Sequence, residues 1–186
     1  TMMNFVPPAP YQIRQYREID STQEEARRLL AQDVPGWTIV LANRQTGGRG
    51  RFGRPWASPE GNLYMTLILR PRPGQPPVGT AIGLANLCVG LAVAEAALVL
   101  APDAPLALKW PNDLLLDGAK MCGILSELVQ VPHADPALLI GIGVNLAHHP
   151  DGLAYRAAHL GQVLDGNPAP HMFLDAMLPI LSQRLG

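Results

Sequence analysis

Between Val78 and Leu100 the chain carries one charge, Glu95, in a run of alanine, leucine, valine and isoleucine. A segment this apolar must be withdrawn from water, into a protein core or a bilayer. Its length would permit a membrane span. Against that stand Pro76-Pro77 at its start, Asn86 and Glu95 within it, and no basic cluster at its flank. The reading is a buried helix packed closely through Gly79, Gly83 and Gly90. The rest of the chain then has to supply its cover.

That cover reads as strands and short helices. Tyr11–Asp20 holds a short strand, and Ser21-Thr22-Gln23-Glu24 has the pattern of a capping box, Ser21 at the N-cap and Glu24 three residues on, opening a helix over roughly 22–32. Trp37–Ala42 and Asn62–Leu69 are strands by their β-branched and aromatic content. Leu106–Trp110 is a strand broken at Pro111. Leu114–Leu116 and Lys120–Gln130 form a hairpin turning at Asp117-Gly118. Leu138–Asn145 is a further strand, and short helices are predicted at about 153–163 and 171–184. Hairpins around one or two helices make an α+β domain with a mainly antiparallel or mixed sheet.

With 186 residues, 48% of them hydrophobic and 16% charged, the chain suits one globular domain, residues 1–186. A net charge of −1 argues against a broad face for nucleic acid or anionic membrane. Cys88 and Cys122 lie in apolar runs with no CxxC, as free thiols of a reducing compartment do, and no secretory signal opens the chain. A cytoplasmic location is the expectation.

Two stretches carry the chemistry. Gly47-Gly48-Arg49-Gly50-Arg51-Phe52-Gly53-Arg54-Pro55-Trp56 alternates glycine with arginine, so backbone can approach a ligand while guanidinium forks grip an anion. Lys109-Trp110-Pro111-Asn112-Asp113, with Lys120 beyond, brings together the only two lysines in the chain. Gly48-x-Gly50-x-x-Gly53 matches a dinucleotide fingerprint formally, but Pro55 and a strand follow where a helix should open. A P-loop is excluded because no Gly-Lys-Ser/Thr occurs, and no Gly-x-Ser-x-Gly elbow supports a serine hydrolase. His148-His149 and Asp151 have no Cys or further His to complete a metal set; His133, His159 and His171 stand alone.

The arginine-glycine loop, the Lys-Trp-Pro-Asn-Asp corner, Gly118-x-Lys120-x-x-Gly123-Ile124-Leu125 and Gly141-Ile142-Gly143-Val144-Asn145 together resemble the biotin protein ligases in order and spacing, from about Ser21 to Asn145. The resemblance implies the biotin/lipoate ligase catalytic-domain fold, related to class II aminoacyl-tRNA synthetases. It also implies a two-step reaction. Biotin is activated by ATP, with Mg²⁺, to biotinyl-5′-adenylate, and is then passed to a lysine of a biotin carboxyl carrier protein.

Residue roles follow from the same resemblance. Lys120 would bridge the biotin carboxylate and the α-phosphate as catalytic lysine, with Arg49 and Arg51 beside it. Ser21, Thr22 and Gln45 would take the ureido ring, although capping alone explains Ser21. Backbone around Gly48, Arg49, Gly50 and Arg51, together with Gly123, would lie close to biotin. Arg49, Arg51, Arg54, Trp56, Asn112, Asp113, Lys120 and Asn145 would serve ATP, with Trp56 at the nucleotide end of a closed loop. Asp113 would orient Mg²⁺. Trp110 is equally readable as core or as site wall, and Lys109 and Asn112 as groups of a tight corner.

About 20 residues precede the first helix, too few by this reading for a helix-turn-helix, so DNA binding is not expected. The chain stops at Gly186, before the SH3-like domain with which the family continues, which bears most on transfer. Monomer and homodimer both remain open. Rival readings are a lipoate or octanoate ligase, a biotin- or adenylate-binding module impaired in transfer, and a purely structural domain.

Overall fold

A computed structural model describes residues 7–70 and 82–186. Seven strands form one mixed sheet in the order β1-β2-β3-β7-β6-β5-β4. They are β1 Gln12–Ile19, β2 Thr38–Gln45, β3 Leu63–Leu69, β4 Leu106–Lys109, β5 Asp113–Leu116, β6 Ala119–Val129 and β7 Ala137–Val144. Only β1 and β2 pair in parallel. A parallel pair needs a crossover, and helix α1, Thr22–Leu30, supplies it. The remaining pairs are antiparallel, and β5 turns into β6 at Asp117-Gly118, with φ of 47° and 73°. Both values are positive, as the tight hairpin signal requires.

Alternation along the central strands separates two faces. Leu63, Met65 and Leu67 of β3, with Leu138, Ile140 and Ile142 of β7, enter the main core under α2, Ile82–Leu100, and α3, Pro170–Leu185. Between those helices lie Val89, Ala92, Val93 and Ala96 against Phe173, Met177 and Leu181. On the opposite face Val40, Ile68 and Leu139 pack under Ala26, Leu29 and Leu30 of α1. The same face carries Thr66, Gly141 and Gly143 one period further along. Glycine at 123, 141 and 143 opens space there between Tyr64 and Leu125 on the same face, and the site forms in it.

Several expectations need correction. The helix expected to be buried is covered by the sheet and α3 on one side only, so Leu84 and Val99 are 62% and 64% exposed. Its composition and length alone would pass for a membrane span. Gly90 admits Leu108 Cδ2 to 3.0 Å of where its Cβ would stand; Gly83 meets only the edge of Trp110, and Gly79 lies outside the described residues. Ser21 caps α1, accepting from the backbone of Gln23 and Glu24. The reciprocal half of the box is replaced, because Glu24 turns to Arg49 at 3.2 Å. Residues 153–159 are not helical. Lys120 N donates to Arg156 O and Ala158 N to Lys120 O, which holds them extended beside β6, and only Leu160–Val163 makes a short 3₁₀ turn.

Candidate active site

The arginine-glycine loop folds as a small hairpin over the open half of the sheet. Arg49 bridges to Pro55, Gly50 N donates to Arg54 O at 2.7 Å, and Trp56 N donates to Gly48 O at 2.8 Å. Gly48 is required by packing: a Cβ there would stand 2.5 Å from both Ser58 Oγ and Trp56 O. At its tip Phe52 has φ 58° and is 84% exposed. Arg49 reaches Glu24, and Arg51 donates to Asn112 Oδ1 at 3.0 Å. The loop is thus tied to α1 on one side and to the Lys-Trp-Pro-Asn-Asp corner on the other.

Trp56 lies on bare backbone. Gly123 and Gly143 are directly opposed on β6 and β7, and a Cβ on Gly143 would come within 2.7 Å of Trp56 Nε1. That nitrogen is buried without a hydrogen-bond partner, a cost that a ligand acceptor would remove.

Two cavities flank the indole. One, of about 170 Å³, is bounded by Ser21 and Thr22, the loop arginines, Asn112, Asp113 and Gly123. The other, of about 320 Å³, is bounded by Gly47, Gly48, Ser58, Asn145 and Leu153. Gln45, Pro55, Trp56, Lys120 and Tyr155 belong to both.

Lys120 therefore stands in the partition. Its Nζ is 2.8 Å from Asp113 Oδ1 and 5.5 Å from the ring centres of Trp56 and Tyr155. The two side chains form a close, largely buried ion pair. The ammonium, set between two aromatic faces, borders both cavities and can meet anions on either side.

Around the first cavity, Thr22 N donates to Gln45 Oε1 at 2.8 Å, and Gln45 Nε2 donates to Ser58 Oγ at 2.9 Å. Ser21 N is fixed by Asp20 Oδ1 at 2.7 Å, and the Arg28 guanidinium holds the Asp20 carboxyl down at about 2. Asn145, by contrast, spends its amide internally: Nδ2 donates to Ala158 O at 3.1 Å and Oδ1 faces Asn62.

Of the residues expected at a site, every one lines one or both cavities. Lys109 is exposed and lines neither, and Trp110 is 66% exposed, neither core nor wall. Sequence reasoning passed over Tyr155, Thr66 and Asn62. Asn62 Oδ1 accepts from the backbones of Leu146, Ala147 and His148, which fixes the turn after Asn145. Thr66 had a signal, being the polar residue in an otherwise apolar strand.

The sequence profile of the biotin/lipoate A/B protein ligase family matches residues 16–145. The biotin–[acetyl-CoA-carboxylase] ligase of Paracoccus denitrificans is 39% identical over 174 residues, 88% of this chain and 69% of that protein. The bifunctional ligase/repressor BirA of Bacillus subtilis is 38% identical over 72% of the chain, which spans only 40% of that relative. Among solved structures, the Aquifex aeolicus biotin protein ligase in complex with biotin and ATP superposes with a TM-score of 0.78 at 34% identity, over 93% of this chain and 69% of that one. The Leishmania major biotin protein ligase in complex with biotinyl-5-AMP gives 0.79 at 30%, over 94% and 74%.

Proposed function

The chain belongs to the biotin/lipoate A/B protein ligase family, and from that premise we propose that it activates biotin with ATP and passes it to a carrier lysine. The observation that carries this is Lys120 between two cavities, one lined by ureido-type partners and arginines, the other running to Asn145.

In the first step a biotin carboxylate oxygen attacks the α-phosphorus of ATP, and the bond to the β-phosphate bridging oxygen breaks. Biotinyl-5′-adenylate forms and pyrophosphate leaves. Two anions must meet, so fixed cations are needed where negative charge gathers. Lys120 donates to the carboxylate and the α-phosphate together. Arg49, Arg51 and Arg54 take phosphate oxygens, and the loop they sit on excludes water from the anhydride. In the second step the amine of a carrier lysine attacks the acyl carbon, loses its proton, and releases AMP.

Thr22, Gln45 and the Gly48–Arg51 backbone hold the biotin head, with Gly123 giving the ring room. Mg²⁺ suits this donor set only as a phosphate-borne ion: Asp113 offers one carboxylate, and no cluster of three metal-binding groups occurs among the described residues. There it would neutralise phosphate charge, with Asp113 as its protein ligand. The acceptor is a biotin carboxyl carrier domain, and a cytoplasmic setting suits the free thiols of Cys88 and Cys122.

The test is biotin-dependent exchange of labelled pyrophosphate into ATP, with lipoate and octanoate run alongside. Exchange with biotin alone is the expected result, and Lys120→Ala should slow it by roughly 10²- to 10³-fold, with biotin binding affected far less. Exchange driven by lipoate but not biotin, or parent-rate exchange by Lys120→Ala, would overturn the assignment.

A further inference from the structure

We propose that Thr66 is a positioning residue that sets the hydrogen-bonding polarity of the biotin head pocket, fixed in turn through Gln23 by the half-exposed Arg27–Glu127 ion pair between α1 and β6. The inference rests on the functional reading above and extends it to how the ring is recognised.

The chain of contacts begins at Glu127. Its carboxylate meets Arg27 at 2.7 Å and accepts from Gln23 Nε2, also at 2.7 Å. A carboxylate beside a guanidinium only accepts, so the amide of Gln23 has one orientation, with Oε1 turned to Thr66. Gln23 is 6% exposed and lies over Gly141, where a Cβ would stand 2.7 Å from its Oε1. The amide thus fills the space that a side chain at 141 would take.

Thr66, fully buried, lies 3.1 Å from Gln23 Oε1 and 2.9 Å from Thr22 Oγ1. A hydroxyl has one proton to give. An amide oxygen can only accept, so the Thr66 proton goes to Gln23, and toward Thr22 Thr66 offers a lone pair. The Thr22 hydroxyl is also 3.1 Å from Gln45 Oε1. It can donate to either neighbour, and the acceptor Thr66 presents lets it turn away from Gln45.

The consequence falls on the ligand. With the Thr22 proton on Thr66, Thr22 Oγ1 faces the cavity as an acceptor. Gln45 Oε1, held by Thr22 N, keeps a second lone pair free. The pocket then shows two acceptors side by side, which matches the two ring N–H groups of a cyclic urea. A lipoyl or octanoyl chain has no N–H to offer them. Two unpaired acceptors would face such a chain, so the relay discriminates as well as binds.

Thr66→Val keeps the shape and removes the hydroxyl. In pyrophosphate exchange its KM for biotin should rise roughly 10- to 30-fold while kcat stays within about two-fold. Thr66→Ser, which restores the hydroxyl, should return KM to within about three-fold of the parent. Biotin methylated on the ring nitrogen that faces Thr22 is the second probe. It should lose heavily on the parent but little more on Thr66→Val, because both changes break the same contact. Glu127→Gln, at a half-exposed strand position that tolerates change, frees the Gln23 amide to reverse and should raise KM in the same direction. An unchanged KM in Thr66→Val or Glu127→Gln overturns the proposal, as do strictly additive losses for the methylated probe. Failure of the unaltered chain to exchange with biotin would instead overturn the functional reading.

Discussion

Gly143→Ala tests whether the seat of Trp56 governs the loop. An alanine Cβ would stand 2.7, 2.8 and 3.0 Å from Nε1, Cε2 and Cζ2 of the indole. The Gly143 backbone cannot yield, being paired to Tyr64 on one side and Gly123 on the other. The ring must therefore lift by about 0.7 Å to recover the ordinary 3.4 Å contact. Lifting it strains a hairpin whose next residues bridge Pro55 to Arg49. Overpacking of this kind costs about 1–3 kcal/mol, which corresponds to a closed-to-open ratio lower by roughly 5- to 150-fold. Trypsin reads that opening directly, because Arg49 and Arg51 become extended substrates only when the hairpin opens, while Arg54 is shielded by Pro55 in either state. Cleavage after Arg49 and Arg51 should accelerate by up to that factor, and biotin-dependent exchange should fall. Gly50→Ala is the control for cleavage: its Cβ meets only Arg54 O, at 3.6 Å, and the cleavage rate should stay within about three-fold of the parent. If Gly143→Ala is cut at the parent rate and exchanges normally, Trp56 does not rest on Gly143.

The His149–His159 pair predicts a pH dependence. Their Nδ1 atoms are 2.7 Å apart, and burial, then His149 and His148, lower the His159 pKa below its ordinary value. The unfolded chain thus binds this proton more readily, so the stabilisation is full above the ordinary histidine pKa of about 6.5 and is lost as pH falls through the folded value. Asp151 lies 4.0 Å from His149 Nε2 and is the acidic group facing the pair. The urea midpoint should drop between about pH 7.5 and pH 5.5 in the parent and less in His159→Gln; equal drops would refute the assignment. Cys122 is buried against the core, which pushes its thiol up to about 12. Iodoacetamide at about pH 8 should label Cys88 and leave Cys122 untouched until the chain unfolds; native labelling of Cys122 would refute the burial.

What could be read from residue order was local. β-Branched runs announced β2, β3 and β7, and Asp117-Gly118 announced its hairpin, because each signal is set by a residue's own backbone preferences. The Ala157-Ala158-His159-Leu160 run misled for the opposite reason. Its helical composition loses to backbone pairing with Lys120, a partner 37 positions away by residue number (157 − 120). The exposed side of α2 could not be foreseen either, since composition does not say how many faces a helix has covered. In the site, glycines and arginines stood out by type. Tyr155 did not, because only the extended course of residues 153–159 brings it to Lys120. The Glu127–Gln23–Thr66 relay draws on three separate elements, and no spacing links them.

The cavity partition has a consequence for timing. On the proposed reading the biotin head sits in the chamber lined by Thr22 and the loop arginines. The adenosine of ATP sits in the one that runs to Asn145, its phosphates reaching the arginines past Lys120. Once the anhydride bond forms, a single molecule is anchored in both, and either anchor that lets go finds its chamber still held in reach by the other. Escape needs both to release at once, so the acyl-adenylate should outlast its parent substrates on the protein by the effective concentration of one end for the other. Pyrophosphate, tied to neither chamber by a covalent link, has no such restraint. The same wall that brings the reactants together thereby sorts the products, letting the spent group go while the activated one waits for an amine.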